Sequence, residues 1–389
     1  MPTITNLTEL ATAPGEDDVS PVVNLAAPVG SRTKKIKWST LKAALKAVND
    51  VLYPLISGTP TSGQALLYNG SVWVPSNFPN KNLLINGGMN ISQRGTSFTS
   101  VTTPANNDDT FLIDRWLLLS DGNDIVDVTQ STERPTTLFA KSIALDVETA
   151  NKKFGIFQPL EFLDSEYVIG SEVIFSFYAK VSAITKLDNI KAGIVSWAST
   201  ADTITSDIVS AWNAEGANPT LAVNWTFENT PANLSVTTSW ARYTVTATID
   251  TVATTNIGVF IWSDVTDTTL GDFLYITGCK LEVGAIATPF EFRSHAQELV
   301  LCQRYYQRSG FPLVNCYVDG VTNIYMERAS IGSMRIAPVH TVLTTPSYVN
   351  CGTLNYEGGD INMTRWRVSS AGAGFTLSFG GDLALDAEL

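Results

Sequence analysis

Two tryptophans with polar neighbours are the side chains best suited to bind a ligand by stacking. Trp212 and Trp225 flank the polar segment 213–219, and Asn224 precedes the second of them. Flat aromatic faces beside amide and carboxylate groups can stack on sugar rings and hold their hydroxyls. Because binding residues often lie on long loops, we predict that Trp212, Trp225 and Asn224 bind a glycan. A loop tryptophan can also pin its own loop to the core, and that alternative stays open.

Carboxylate pairs are the groups that could catalyse hydrolysis. Asp108 is adjacent to Asp109, and Glu161 lies three residues before Asp164. Glycoside cleavage needs two carboxylates that face each other across a cleft, which sequence spacing does not provide. The chain has two histidines and no nucleophile-elbow, Walker or dinucleotide-binding motif. The sequence therefore predicts no catalytic residue and a protein that is not an enzyme.

An acidic segment is the nearest approach to a metal site. Residues 121–127 contain three aspartates, but Ile125 occupies a ligand position of the calcium-binding loop and the closing glutamate is missing. A solvated turn is the expected structure. The four cysteines form no Cys-x-x-Cys pair, so free thiols are expected. The prediction is no metal and no cofactor.

Composition excludes several classes of protein. The 389 residues include 25 basic and 37 acidic side chains, giving a net charge of −12. Such a chain is unsuited to electrostatic binding of nucleic acid or of an anionic membrane. No apolar run approaches the ~20 residues of a membrane helix, and the first residues lack the basic start and apolar run of a signal peptide. We expect synthesis in the cytoplasm, with no nucleic acid and no membrane insertion.

One amphipathic helix is predicted near the amino terminus, within residues 38–56. Ser39 can cap it and Pro54 can end it. An isolated helix of this length is marginal in water, so its apolar stripe needs a partner. A second copy of the chain is the predicted partner, with packing on the β domain as the alternative. The predicted oligomerisation residues are Leu41, Leu45, Val48 and Leu52.

The rest of the chain has the pattern of a mainly β protein. Asn69-Gly70 predicts a β-hairpin within residues 57–80, and Asp319-Gly320 predicts a second hairpin. Residues 81–294 contain short β-branched and aromatic runs divided by turn residues, which predict a jelly-roll-like β-sandwich. Residues 295–389 are predicted to form a short helix and a small C-terminal β domain.

Motifs at both ends of the sandwich give the sequence a family resemblance. Residues 81–95, Lys-Asn-Leu-Leu-Ile-Asn-Gly-Gly-Met-Asn-Ile-Ser-Gln-Arg-Gly, are followed by Asp114-Arg115-Trp116. The closing strings are Ser239–Tyr243, Cys279–Gly284 and Cys302–Tyr306. In this order they resemble a β-sandwich domain of bacteriophage fibres.

The amino-terminal part is similar to virion-attachment segments of the same fibres. Lys34-Lys35-Ile36 precedes the predicted helix, and Gly63–Trp73 follows it with a Gly-Gln-x-Leu-x-Tyr-Asn-Gly-x-x-Trp pattern. The resemblance implies that residues 1–37 are an extended arm that anchors the chain on another virion structural protein. The predicted anchoring residues are Val22, Val23, Leu25, Lys34 and Lys35.

The resemblance implies a structural fibre protein of a phage virion. It implies a homotrimer whose sandwich, similar to carbohydrate-binding modules, presents a surface to a host glycan or receptor. The protein is then located in the virion after synthesis in the host cytoplasm. One alternative is a head or neck decoration fibre with weak general adhesion. A second alternative is a depolymerase fibre that cleaves a surface polysaccharide.

Overall fold

The computed structural model divides the chain into two units, Met1–Pro79 and Asn80–Leu389. In the first unit the described residues are 19–23, 33–37, 64–68 and 72–77. In the second unit they are 81–389, with short gaps at 311–313, 319, 321–322, 331, 346, 353–354 and 380. No helix among these residues is long and apolar enough to cross a membrane.

Two antiparallel strand pairs make up the described part of the first unit. β1 (Val19–Val23) pairs with β2 (Thr33–Lys37). β3 (Gln64–Tyr68) pairs with β4 (Trp73–Asn77), and the paired residues Tyr68 and Trp73 lie on either side of the predicted Asn69-Gly70 turn. This pairing confirms the first predicted hairpin.

Two six-stranded antiparallel sheets form a sandwich in the second unit. In spatial order the first sheet contains β16 (Ala241–Thr248), β11 (Glu172–Val181), β18 (Phe273–Val283), β9 (Ser142–Val147), β8 (Val126–Ser131) and β5 (Ser97–Phe98). The second sheet contains β15 (Trp225–Phe227), β12 (Ile190–Trp197), β17 (Asn256–Ser263), β10 (Phe154–Pro159), β7 (Leu117–Ser120) and β6 (Thr110–Phe111). The predicted β-sandwich is confirmed.

The main core lies between the two sheets, because inward side chains alternate with outward ones along each strand. Ile156 of β10 and Val259 of β17 belong to the same buried cluster as Phe175 and Phe177 of β11. Trp116 is 1% exposed there and donates its indole N–H to the Asn86 carbonyl at 3.1 Å.

The second sheet is buried on both faces. Every residue of β12 and of β17 is buried, whereas a strand with one solvated face alternates between apolar and polar residues. The outer face of this sheet is therefore covered by another part of the chain, described below.

Three three-stranded sheets follow the sandwich. They contain β19 (Tyr306–Gly310), β27 (Asp382–Asp386) and β22 (Val339–Thr344); β20 (Val314–Val318), β26 (Gly374–Phe379) and β23 (Ser347–Val349); and β21 (Asn323–Ala329), β25 (Met363–Ser369) and β24 (Asn355–Gly359). The hairpin predicted at Asp319-Gly320 is wrong, because β20 pairs with β26 and β21 pairs with β25.

The helix His295–Gln303 connects the sandwich to these sheets. A shorter helix, Phe162–Ser165, followed by a 3₁₀ turn at Glu166–Val168, lies within the sandwich part of the chain. Ser294 caps the connecting helix through a reciprocal pair of bonds with Gln297. The sequence predicts this helix over residues 295–309, but it ends at Gln303, because Tyr306 enters β19.

A buried ionic cluster fixes the end of the chain to the sandwich. The Glu388 carboxylate binds Arg94 at 3.2 Å and also binds Arg115. The side chains of these arginines are 3% and 1% exposed. Arg335 donates to the carbonyls of Ala387 and Glu388 at 2.9 and 2.6 Å. The C-terminal sheets are thereby held beside β6 and β10 of the sandwich.

Candidate functional site

The predicted binding loop covers the outer face of the second sheet. Residues 198–224, named here the cover segment, connect β12 to β15 and include the short strands β13 (Val209–Ala211) and β14 (Thr220–Leu221). They pack on a second buried cluster rich in aromatic side chains, which contains Phe157, Trp197, Trp225, Phe260 and Trp262.

Trp225 is part of this buried cluster rather than of the surface. Its side chain is 5% exposed, and its ring contacts those of Phe157 and Trp197 with centroids 5.5 and 5.4 Å away. Its indole N–H donates to the Thr205 carbonyl at 3.1 Å. Because both the ring and its polar atom have protein partners, Trp225 offers no face to a sugar in this conformation.

Trp212 and Asn224 lie closer to the surface. Trp212 is half-buried, with its ring centroid 6.0 Å from that of Phe260. Asn224 is exposed and has a φ of 72°, a left-handed conformation that asparagine tolerates better than most residues. Its carbonyl accepts a bond from Ala198 N at 2.9 Å, which closes the base of the cover segment.

A buried charge triad clamps the polar part of the cover segment. Asp264, fully buried, binds Lys153 and also binds Lys191 at 2.7 Å. Lys191 donates to the Asn218 side chain at 3.0 Å, and the Asp264 carboxylate accepts from Gly216 N at 2.9 Å. The predicted binding loop is therefore held as a structural cover over an apolar face.

An open cleft lies instead where the sandwich meets the C-terminal sheets. This junction cleft has a volume of about 250 Å³, slightly below the roughly 300–1,000 Å³ of typical small-molecule pockets. It is formed by β6, β19, β22, β27 and two loops, with the lining residues Arg94, Thr103, Pro104, Asp109, Thr110, Phe111, Tyr306, Thr341, Leu343, Ala384 and Asp386. Aromatic, hydroxyl and carboxylate groups thus meet in one concave site.

Arg94 stacks between the polar and the aromatic parts of the junction cleft. Its guanidinium carbon lies 3.7 Å from the Tyr306 ring centroid and 5.8 Å from that of Phe111. Burial lowers the pKa of Arg94, but the surrounding carboxylates, first that of Glu388, outweigh it and the pKa is raised. Arg94 is thus a permanent cation that orients the two rings.

Two carboxylates of the junction cleft keep accessible oxygens. The side chain of Asp386 is 42% exposed although one oxygen binds Arg94 at 3.2 Å and the other accepts from Glu388 N at 3.0 Å. Asp109 is exposed, accepts from the Ser206 hydroxyl at 3.1 Å, and has a pKa raised chiefly by burial. Carboxylate oxygens next to a half-buried ring, that of Phe111, can accept hydrogen bonds from ligand hydroxyls.

Asp108, the neighbour of Asp109, points to the backbone instead. It accepts from Ser120 N at 2.7 Å. Burial raises its pKa to about 6 against the lowering effect of that bond, and the nearby Asp207 raises it further. The adjacent pair thus serves two different sites, because both residues lie in a turn and Asp109 has a left-handed φ of 54°.

This raised pKa predicts a pH dependence of stability. The folded protein holds the Asp108 proton more tightly than the unfolded chain does, so the contribution is full below the ordinary pKa of 3.8 and is lost as pH rises through about 6. Asp108→Asn is expected to reduce the fall in melting temperature between about pH 4 and pH 7. Asp267→Asn, at a side chain 60% exposed, is the control. An unchanged pH slope in Asp108→Asn would contradict the assignment.

Glu161 and the acidic segment 121–127, also singled out by the sequence, have protein partners. Glu161 forms a bidentate pair with Arg304, at 2.6 and 3.0 Å, and also accepts from the Tyr305 hydroxyl. In the acidic turn, the Asn106 amide donates to Asp124 and to Asp127 at 3.0 Å each. The described residues contain no group of three or more His, Cys, Asp or Glu side chains that could hold a metal.

A second and larger depression is less suited to a polar ligand. It has a volume of about 660 Å³ and includes Phe292 and Val300, which are 47% and 56% exposed. Two of its charged side chains bind the protein itself: Arg293 donates to the Leu84 carbonyl, and Glu291 accepts from Asn82 N. The junction cleft is therefore the stronger candidate.

The predicted anchoring and oligomerisation residues lie in the first unit. Val22 and Val23 are in β1, opposite Lys34 and Thr33 of β2, and Lys35 is opposite Pro21. The remaining residues lie outside the described part of the chain: Leu25, Leu41, Leu45, Val48 and Leu52.

Comparisons with known proteins return distant structural likenesses. No family model matches the chain, and no curated protein matches it. The enzymatically active domain of tailspike protein 4 of bacteriophage CBA120 is similar over 46% of this chain and 21% of its own, with a TM-score of 0.30 and 15% identity. This chain thus spans about a fifth of the length of that domain.

Carbohydrate-binding modules show a likeness of the same order. A family 61 module in complex with β-1,4-galactotriose is similar over 52% of this chain and 99% of its own, with a TM-score of 0.28 and 12% identity. The CBM22-1 xylan-binding domain of Paenibacillus barcinonensis Xyn10C covers 55% of this chain and 100% of its own, with a TM-score of 0.29 and 12% identity.

Proposed function

We propose that this chain is a structural fibre protein of a phage virion that attaches to a host-surface glycan without cleaving it. The observation that carries the proposal is the junction cleft, where the Phe111 ring lies beside accessible carboxylates of Asp109 and Asp386. Sugar recognition combines an apolar face with a few fixed polar groups. The ordered motifs of residues 34–36, 63–73 and 81–116 support the phage assignment.

The proposed assembly is a homotrimer anchored on another virion protein through residues 1–37. The apolar stripe of residues 38–56 supports the trimer, and the basic residues Lys34 and Lys35 support docking on an acidic partner surface. Immunogold labelling of virions with antibody to residues 81–294 tests this placement. Gold at the tail tip supports host attachment, whereas gold on the head or neck supports the decoration-fibre alternative.

The decisive test of glycan binding is a pair of aromatic substitutions. We expect Phe111→Ala to weaken binding of the full chain to its host-envelope polysaccharide about tenfold, since a lost stacking contact is worth about 1–1.5 kcal/mol. Phe292→Ala removes a similarly placed ring from the other depression and is expected to leave affinity unchanged. Binding is measured by biolayer interferometry, and melting temperatures verify folding.

Two outcomes would contradict this assignment. If Phe292→Ala weakens binding and Phe111→Ala does not, the glycan lies in the larger depression. Release of new reducing ends from the polysaccharide would overturn the non-enzymatic proposal in favour of a depolymerase. Thr341→Val, which removes a cleft hydroxyl and keeps its shape, is a milder second variant should Phe111→Ala fold poorly.

A further inference from the structure

The junction cleft has more acidic than basic groups around it. Arg94 is surrounded by the carboxylates of Asp114, Asp386 and Glu388, at 3.9, 3.2 and 3.2 Å. At the β6 side, Asp109 adds a further carboxylate, with Asp207 near enough to raise its pKa. The local potential at the opening is therefore negative.

The cation of the cleft is already neutralised by the protein. Arg94 is 3% exposed, and one of its terminal nitrogens, Nη2, binds both Asp386 and Glu388. The second carboxylate oxygen of Glu388, Oε2, binds Arg115. Arg94 Nη1 has no hydrogen-bond partner among the described residues, but it is buried and out of reach of a ligand. The positive charge of Arg94 is balanced by Asp386 and Glu388, so a ligand entering the cleft meets chiefly the exposed oxygens of Asp109 and Asp386.

These oxygens discriminate between sugars by charge. A carboxylate accepts hydrogen bonds from hydroxyl or ammonium groups but has no proton to offer to an anion. A uronic acid, sulfate or phosphate group would therefore meet like charge and unpaired acceptors. We propose that the junction cleft binds uncharged or amino-bearing sugar units and rejects anionic ones. This inference rests on the proposed glycan-binding function.

The test uses ligands that differ only in the charged group. Oligomers of galacturonate, glucuronate and mannuronate are each compared with their carboxyl-reduced forms, in which every carboxylate becomes a hydroxymethyl group. For the full chain we expect the carboxyl-reduced member of at least one pair to bind on the order of tenfold more tightly than the acidic member at low salt. The difference is expected because the acidic member is repelled by two carboxylates a few ångströms away in water. The ratio of the affinities for the reduced and the acidic member should decrease at 0.5 M salt, because salt screens the repulsion.

Charge-neutralising variants assign this selectivity to the cleft. Asp386→Asn and Asp109→Asn are expected to reduce the ratio to about threefold each, because each removes one of the two like charges. Asp121→Asn, at a carboxylate 41% exposed and paired with Lys152 at 2.9 Å outside the cleft, is the matched control and should leave the ratio unchanged.

The outcomes separate the two levels of the proposal. Equal or tighter binding of the acidic member, or a ratio that Asp386→Asn and Asp109→Asn leave unchanged, overturns the charge inference and leaves glycan binding standing. Absence of binding to both members of every pair, together with no binding to host polysaccharide, overturns the proposed function and the inference with it.

Discussion

Asp264→Ala is expected to lower the free energy of unfolding by about 3–5 kcal/mol, the cost of breaking a buried ion pair by removing one partner. The substitution leaves the ammonium groups of Lys153 and Lys191 without their carboxylate at side-chain exposures of 3% and 5%. Each lysine keeps backbone or amide oxygens, such as Ala214 O at 3.2 Å, but no compensating charge among its described contacts. Urea unfolding followed by tryptophan fluorescence measures the effect.

A nearby exposed ion pair supplies the control. Asp267 binds Lys186 at 2.9 Å, with side chains 60% and 36% exposed, so Asp267→Ala is expected to cost at most about 1 kcal/mol. Replacing the whole triad by Lys153→Met, Lys191→Met and Asp264→Leu should recover most of the lost stability, because no buried charge remains. Equal costs for Asp264→Ala and Asp267→Ala would show that the triad does not clamp the cover segment.

Glu388→Ala is expected to lower the free energy of unfolding by a similar amount, about 3–5 kcal/mol, because it breaks buried ion pairs between residues far apart in the sequence. It leaves two buried guanidiniums short of a carboxylate: Arg115 keeps its bond to the Pro159 carbonyl, and Arg94 keeps Asp386. Because Arg94 and Arg115 belong to the sandwich while Glu388 follows β27, the substitution should loosen the C-terminal sheets. Hydrogen exchange is expected to increase in β19, β22 and β27 more than in β11 and β18.

The matched control is an exposed pair within the same sheets. Glu327 binds Arg365 at 2.7 Å with side chains 48% and 54% exposed, and Glu327→Ala is expected to cost at most about 1 kcal/mol. Glu388→Gln keeps the shape and one acceptor oxygen but replaces the other oxygen with an NH2 group that cannot accept from an arginine, so its cost should lie between those of Glu388→Ala and Glu327→Ala. Uniform exchange throughout the unit in Glu388→Ala would contradict a local docking role.

Local turn signals predicted one hairpin correctly and one incorrectly. Asn69-Gly70 lies between two strands that pair with each other, as the short-range rule expects. At Asp319-Gly320 the flanking strands β20 and β21 belong to different sheets and pair with β26 and β25. A turn sequence restricts the local backbone, whereas the pairing partner is decided by which distant strand buries the same apolar face.

The sequence contained a sign that the binding loop is a cover. The run Ile257-Gly258-Val259-Phe260-Ile261-Trp262 does not alternate, and such runs are typical of strands buried on both faces. Read together with the polar segment 213–219, this non-alternating strand predicts that the segment covers the sheet and that Trp225 is buried beneath it. Loop polarity alone favoured the surface interpretation.

Neighbouring residues in the sequence were enough to predict the mainly β class, the sandwich and a short helix after residue 294, because alternation, β-branched runs and helical periodicity depend on residues close together in the chain. The tertiary structure alone decided where an accessible site lies. Arg94 and Asp386 are 292 residues apart yet bind each other in the junction cleft, and no local pattern predicts that they meet. The burial of Trp225 and the ion pairs of Asp264 also depend on the tertiary structure. Strand alternation defines the two faces of a sheet, but it does not determine which segment of the chain covers each face.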